Sequence, residues 1–212
     1  IMKKHTYSIV LTDTVVQEVD RLAAQKGTNR STMMNQILAD YFSCKTPEKQ
    51  MASVFSLIEQ QMQNVFRVQL QASDAMISLH SALQYKYRPT VKYELELHGG
   101  DENSIGELTV LFRTQSEALI RAMTEFFRLW KRIEDTHLPA GTERQYALYD
   151  GKFVRSIAPP TKDCTADELA QAISEYIQLF DRLMKGYVSG ELDARAIERE
   201  WFTQMRRAAV LI

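Results

Sequence analysis

The sequence predicts a mainly α-helical protein with small β elements, divided into a short N-terminal region at 1–45 and an α+β, mostly helical region at 48–212. Two observations predict this class. Apolar residues recur at helical spacing over long stretches, whereas only short segments alternate apolar with polar residues. The composition, 45% hydrophobic and 25% charged, is that of a globular protein and excludes a disordered or fibrous chain.

The N-terminal region begins with the segment TYSIVLTD at 6–13, which has a period of two residues. Its apolar members, Tyr7, Ile9 and Leu11, predict one short strand. No second strand is predicted for roughly eighty residues, and a folded strand does not leave its backbone groups unpaired. We therefore expect this strand to pair with the same strand of a second copy.

Two helices are expected after that strand. The first runs from about Asp13 to Lys26 with Thr12 as its cap, and Gly27 stands where a left-handed C-cap belongs. The second helix starts after Asn29. The region 1–45 carries six Lys or Arg residues and four acids, a net charge of +2. The region 90–212 carries sixteen Lys or Arg residues and twenty acids, a net charge of −4. The positive sign in 1–45 suits a polyanionic partner at the N-terminal end.

The longer region is predicted to be mainly helical. Apolar residues at steps of three, four or seven predict one long helix over 48–87, and an Asp-Gly pair between alternating segments predicts a hairpin at 146–157. The other predicted elements are strands near 91–98 and 107–112 and helices at 115–137, 165–187 and 193–207.

The stretch HTYSIVLTDTVVQEVDRLAAQKGTNRSTMMNQILADYF resembles the ribbon-helix-helix family of DNA-binding proteins, the type of Arc, the methionine repressor and plasmid copy-number repressors. The resemblance lies in the apolar strand face, the Thr12-Asp13 helix start, the Gly27 turn and the opening of the second helix, and it covers about one fifth of the chain. It implies a homodimer whose antiparallel two-stranded ribbon enters the major groove of DNA.

The resemblance also implies which residues contact DNA. Thr6, Ser8 and Val10 would face the base edges. The phosphate backbone would be held by the N-terminal arm and the start of the second helix, through Lys3, Lys4, His5, Asn29, Arg30, Ser31 and Thr32. The family often places long polar side chains on the reading face, and Val10 departs from that pattern. We therefore expect modest direct discrimination between bases, supplemented by DNA shape or by several dimers side by side.

The function expected from these features is that of a sequence-specific DNA-binding protein, a dimeric transcriptional regulator. The alternative is a DNA-anchoring accessory or scaffold protein of a plasmid transfer, partition or other DNA-processing complex, which the size of the region 48–212 favours. In that role this region would bind a protein partner. An antitoxin is a third interpretation, but its toxin-binding tail is usually short and disordered.

The sequence does not indicate an enzyme, a cofactor or a metal site. It has no Gly-rich phosphate loop, no HExxH motif and no nucleophile elbow. His80, His98 and His137 stand at no metal-ligand spacing, and Cys44 and Cys164 are far apart, which predicts a reducing, cytoplasmic setting. There is no signal-peptide pattern and no apolar run of membrane-spanning length.

Arg121, Arg128 and Arg132 fall on one stripe of the helix predicted at 115–137. They could form a second nucleic-acid surface. Glu125 and Glu134 lie within pairing distance along the same helix, however, so the sequence favours a solvated, internally paired charged face.

Overall fold

A computed structural model describes residues 6–42, 47–70, 76–85, 88–98, 104–139, 144–160 and 162–212, without the side chains at 47, 48 and 70. The chain divides into two compact units, Ile1–Gln50 and Met51–Ile212. Each unit is described by itself.

The N-terminal unit is built on two helices joined by a tight turn. Helix α1 (Asp13–Gln25) is amphipathic, helix α2 (Arg30–Tyr41) is only weakly so, and Gly27 adopts a positive φ of 61° in the turn between them. Glycine suits this position because other residues rarely adopt a left-handed conformation. The helices pack through a small core of Val19, Ala23 and Met33, with Leu22 and Met34 partly buried beside it.

The predicted N-terminal strand and its ribbon are wrong for this structure. Residues 6–12 carry no strand, and regular structure in the described part of this unit starts with helix α1. The physical reason is that an alternating segment forms a strand only when a neighbouring strand bonds its backbone, and the strands among the described residues pair with one another in a separate sheet. The fold class is accordingly α+β with a substantial sheet, and not a mainly helical fold with small β elements.

The second unit contains a six-stranded antiparallel sheet with helices packed against it. The strands have the order β1-β2-β3-β4-β6-β5, so only β5 and β6 depart from the order along the chain. The elements from the start of α3, in the described residues, are α3 (Pro47–Met62), β1 (Arg67–Leu70), β2 (Met76–Ala82), β3 (Thr90–Leu97), β4 (Gly106–Phe112), α4 (Glu117–His137), β5 (Tyr146–Tyr149), β6 (Lys152–Ile157), α5 (Ala166–Ser189) and α6 (Ala194–Met205).

The single long helix predicted over 48–87 is also wrong. Helix α3 ends at Met62, and strands β1 and β2 occupy most of the described residues that follow. Buried Ile77 and Leu79 pair with β3 neighbours on the sheet, in register with Leu95 and Tyr93. The reason for the error is that apolar residues three, four and seven apart also occur by chance in a strand whose two faces are both partly buried.

The remaining predicted elements have counterparts in the structure. The segments 91–98 and 107–112 correspond to β3 and β4, the segment 115–137 to α4, and the hairpin at 146–157 to β5 and β6. The segments 165–187 and 193–207 correspond to α5 and α6. Thr165 and Glu168 form the capping box at the start of α5, in which the side chain of each residue accepts a hydrogen bond from the backbone N–H of the other.

One face of the sheet is buried under α4 and α5. On β3, Val91, Tyr93, Leu95 and Leu97 are buried and alternate with Lys92, Glu94 and Glu96 on the opposite face. The Phe180 ring of α5 contacts both Tyr93 and Phe153, with ring centroids 6.2 and 5.4 Å apart. This aromatic layer joins the helices to the sheet, and the opposite face of β3 carries the charged side chains.

Candidate functional site

The residues predicted to contact bases lie on an exposed segment that precedes α1. Thr6, Ser8 and Val10 are all exposed, and Val10 is fully so at 100%. Tyr7 and Ile9, which the alternating pattern predicts to be buried, are exposed too, at 81% and 58%. The segment therefore offers polar and apolar side chains together to a partner, on both of its sides.

The start of α2 carries the predicted phosphate contacts. Asn29 caps the helix, because its side-chain oxygen accepts the backbone N–H of Thr32 over 2.9 Å. The backbone N–H groups of Arg30 and Ser31 have no hydrogen-bond partner among the described residues. Two exposed amides at a helix N-terminus can bind an anion, and the helix dipole favours negative charge there.

Arg30 is already engaged by a carboxylate. Its Nε and Nη2 atoms donate to the two side-chain oxygens of Asp20 over 2.7 and 2.6 Å, and both side chains are about half exposed. The hydrogen bonds from Arg30 lower the pKa of the Asp20 carboxyl. The bidentate pair ties the start of α2 to α1 and offsets positive charge where a phosphate would bind. Lys3, Lys4 and His5 lie outside the described residues.

The surface of the N-terminal unit carries many large apolar side chains. Besides its three-residue core, only Ala39 is a buried apolar residue between positions 6 and 42. Eight large apolar side chains of this stretch are instead exposed by 36–100%: Tyr7, Ile9, Val10, Val15, Ile37, Leu38, Tyr41 and Phe42. A two-helix unit of this length buries little apolar surface of its own, and these exposed side chains form an apolar surface on it.

A second cluster of polar residues lies buried in the other unit. Arg155 and Glu134 are 0% and 1% exposed, and Arg155 Nε donates to Glu134 Oε2 over 3.0 Å. The Tyr146 hydroxyl donates to the same oxygen over 2.7 Å, and Arg155 Nη2 donates to the main-chain carbonyl of Ile212 over 2.6 Å. The Arg155 guanidinium also lies 4.4 Å from the centre of the Tyr176 ring.

The chemistry of this buried cluster is structural. Burial raises the pKa of the Tyr146 hydroxyl, and the neighbouring Glu134 raises it further, so this tyrosine stays protonated. The adjoining cavity has a volume of only about 20 Å³, room for one water molecule and not for a substrate. Sequence reasoning missed the cluster because its members are distant along the chain and no local spacing marks them.

The described part of the chain holds no group of three His, Cys, Asp or Glu side chains that could bind a metal. His137 Nε2 lies 2.7 Å from Glu198, and the His137 ring packs against Trp201 and Phe202. On β2, burial lowers the pKa of His80, and the nearby Lys92 and Arg67 lower it further. His98 is exposed.

No described helix has the length and hydropathy needed to cross a membrane.

No protein-family model matches the chain, and neither the curated proteins nor the solved structures include a significant match to it. The resemblance of the N-terminal region to DNA-binding proteins therefore depends on the residues quoted above.

Proposed function

We propose that the chain is a homodimeric, sequence-specific DNA-binding protein whose N-terminal unit contacts the double helix. The observation that carries this proposal is the surface of that unit. Its exposed apolar side chains offer a surface for a partner, and its exposed residues 6–10 and the amides of Arg30 and Ser31, unpaired among the described residues, provide polar contacts beside them.

A second copy of the same unit is the partner that fits the apolar side chains. Most soluble oligomers are symmetric homodimers, in which one patch meets its own copy. Leu38 and Tyr41 stand one helical turn from each other on α2, 49% and 81% exposed, and they form the centre of such a patch together with Ile37. Dimerisation would remove these side chains from water and place two copies of the α2 N-terminus on one DNA molecule.

Thr6, Ser8 and Val10 supply the base contacts in this proposal, and Asn29, Ser31 and Thr32 with the basic residues Lys3 and Lys4 supply the phosphate contacts. Hydroxyl groups can accept or donate a hydrogen bond at a base edge, and Val10 can contact a thymine methyl group. The role is that of a transcriptional regulator in the bacterial cytoplasm. No chemical reaction is part of this function.

The alternative role, a DNA-anchoring scaffold of a plasmid transfer or partition complex, is favoured by one observation. The unit Met51–Ile212 has its own large hydrophobic core and a six-stranded sheet, far more than a minimal repressor needs. In this role the second unit would bind another protein while the first holds DNA.

The DNA test is selection of bound fragments from genomic DNA with the full chain. The triple variant with Thr6, Ser8 and Val10 changed to Ala should bind with altered or lost sequence preference, because the proposed base contacts are gone. A matched control changes Thr203, Ser189 and Val65 to Ala, three residues of the second unit, and should select the same fragments as the unchanged chain. Failure of the full chain to bind duplex DNA at low salt would overturn the proposal, and unaltered site choice by the triple variant would overturn the assigned base contacts.

The dimer test is sedimentation equilibrium of the full chain. The unchanged protein should be a dimer, and the double variant L38S/Y41S should be a monomer because the centre of the apolar patch is removed. The matched control V65S/Y149S alters two side chains of the second unit that are 57% and 59% exposed, and it should remain a dimer. A monomeric unchanged chain would exclude the second copy as the partner.

A further inference from the structure

The arginine stripe of α4 is not paired in the way that the sequence predicts. Glu134, expected to neutralise the stripe, is buried with Arg155, and Glu125 accepts a hydrogen bond from the Tyr187 hydroxyl over 3.5 Å. Of the three arginines of the stripe, Arg121 alone has a carboxylate partner among the described residues, Glu117 at 3.7 Å. Arg128 and Arg132 are exposed and have none.

Helix α6 adds two further arginines. Arg195 and Arg199 are exposed, stand one turn apart on that helix, and form no ion pair within the described residues. By contrast, Arg182, which lies nearby in sequence on α5, is paired with Glu200 of α6. Within the described part of the chain, Arg128, Arg132, Arg195 and Arg199 thus have exposed guanidinium groups without a carboxylate partner.

Arg132 and Arg195 line the same groove between α4 and α6. The groove has a volume of about 230 Å³. Buried Leu129 and Ile133 contribute apolar lining, and Thr136, Ala194 and Glu198 complete it. Arg128 and Arg199 stand one helical turn beyond the two lining arginines along their respective helices.

The charge balance of the groove favours an anion. Among the described lining residues Glu198 is the one carboxylate; it lies 2.7 Å from His137 Nε2 and forms no ion pair with either lining arginine, so two arginines and one glutamate leave the lining net positive. Asp135, the next acid along α4, is bonded to Lys131. Two free guanidinium groups beside a groove match phosphate oxygens, which guanidinium binds through two parallel hydrogen bonds.

We propose that the α4–α6 groove, defined by Leu129, Arg132, Ile133, Thr136, Ala194, Arg195 and Glu198, is a phosphate-binding site that holds the backbone of the bound DNA. The inference rests on the proposed DNA-binding function and extends it, because it assigns a second DNA contact to the other unit. Two phosphates are engaged, one by each lining arginine, and the contact is independent of base sequence.

The test compares the salt dependence of duplex binding by the full chain and by the double variant R132Q/R195Q. Each phosphate contact contributes about 0.9 to the slope of log affinity against log salt, so losing two lowers the slope by about 1.8. Between 50 and 200 mM salt the variant should therefore lose about tenfold less affinity than the unchanged chain. The matched control R121Q/R182Q removes the same two charges from arginines that already have carboxylate partners, and it should keep the slope.

Equal slopes for R132Q/R195Q and R121Q/R182Q would overturn the assignment of the groove to the DNA backbone. The proposal for the groove and the proposal for the N-terminal unit are tested by different measurements. The T6A/S8A/V10A variant should change which DNA sites are chosen and leave the contribution of the groove to the salt slope unchanged. If the full chain binds no duplex, calorimetry with inorganic tripolyphosphate decides between sources of phosphate. If the unchanged chain and R121Q/R182Q bind tripolyphosphate with measurable heat and R132Q/R195Q does not, the groove binds a free phosphorylated ligand. If the unchanged chain gives no heat of binding, the phosphate site is overturned altogether.

Discussion

Arg155 of β6 and Glu134 of α4 form an ion pair that is closed off from solvent, with Nε 3.0 Å from Oε2. The pair connects the sheet to the helix that covers it, and Tyr146 and the carbonyl of Ile212 bond to its two members. A buried pair of this kind gains little over an apolar pair of the same shape, yet removing one partner leaves the other charge without compensation.

Arg155→Met should therefore lower the free energy of unfolding of the second unit by about 3–5 kcal/mol. Urea unfolding followed by tryptophan fluorescence measures it, because both tryptophans of the chain, Trp130 and Trp201, lie in this unit. The matched control Arg182→Met breaks an exposed pair and should cost less than about 1 kcal/mol. The double variant Glu134→Leu/Arg155→Met should recover part of the loss; a single variant no worse than the control would contradict the buried pair.

The buried tyrosines predict that stability falls at alkaline pH. Burial raises the pKa of Tyr93 well above its usual value, and the charge and hydrogen bond of Asp181 raise it further. A raised pKa means that the folded chain keeps a proton that the unfolded chain releases above about pH 10. This contribution is fully present below that pH and is lost as pH rises towards the folded-state pKa.

The free energy of unfolding should thus decrease between about pH 9 and about pH 11, and Tyr93→Phe should decrease less steeply because one such proton is gone. The comparison is between slopes and not between absolute stabilities, since the variant also loses the 2.9 Å hydrogen bond to Asp181. Tyr149→Phe, which removes a surface hydroxyl, serves as the control and should keep the slope of the unchanged chain. An unchanged slope for Tyr93→Phe would exclude Tyr93 as the source.

Local patterns in the sequence predict the helices and the hairpin, but they do not predict which distant segments pair. The capping box at Thr165 and the Asp150-Gly151 turn are formed by neighbouring residues, so the sequence predicts α5 and the β5–β6 hairpin directly. The strand expected from Tyr7, Ile9 and Leu11 depends on a partner that no local pattern identifies. The structure leaves the segment without one among the described residues.

The candidate sites follow the same rule. The start of α2 after Asn29 is predictable from the sequence, because Asn29 lies only three residues before Thr32, whose backbone N–H donates to the Asn29 side chain. The engagement of Arg30 by Asp20, ten residues earlier, and the loss of Glu134 from the arginine stripe depend on tertiary packing. Spacing on one helix therefore predicted an internally paired stripe, whereas burial of Glu134 leaves Arg128 and Arg132 without a carboxylate partner among the described residues.

Gly106 should be one of the least replaceable glycines of the second unit. A Cβ at this position would lie 2.2 Å from the main-chain oxygen of Glu96 and 2.8 Å from a methyl carbon of Leu97, so the β3–β4 pair would have to separate. Gly106→Ala should cost roughly 3 kcal/mol of unfolding free energy. Gly190→Ala adds the same methyl group to open space at a φ of +80° and should cost only about 1–2 kcal/mol. Equal losses in urea unfolding would show that the sheet accommodates the added carbon.

Because the Asp20 carboxylate binds the Arg30 guanidinium, removing this carboxylate should increase the affinity of the chain for DNA. Asp20→Asn should release the Arg30 guanidinium beside the free amides of α2 and increase duplex affinity roughly tenfold at low salt, the size of one added phosphate contact. Fluorescence anisotropy with a labelled duplex measures it. Glu18→Gln removes the same charge from α1, where Glu18 pairs with Arg21 at 2.9 Å, and leaves Arg30 bound to Asp20. If both variants gain the same duplex affinity, the effect comes from net charge alone. If Asp20→Asn loses affinity, the Asp20–Arg30 pair itself positions α2 for DNA binding.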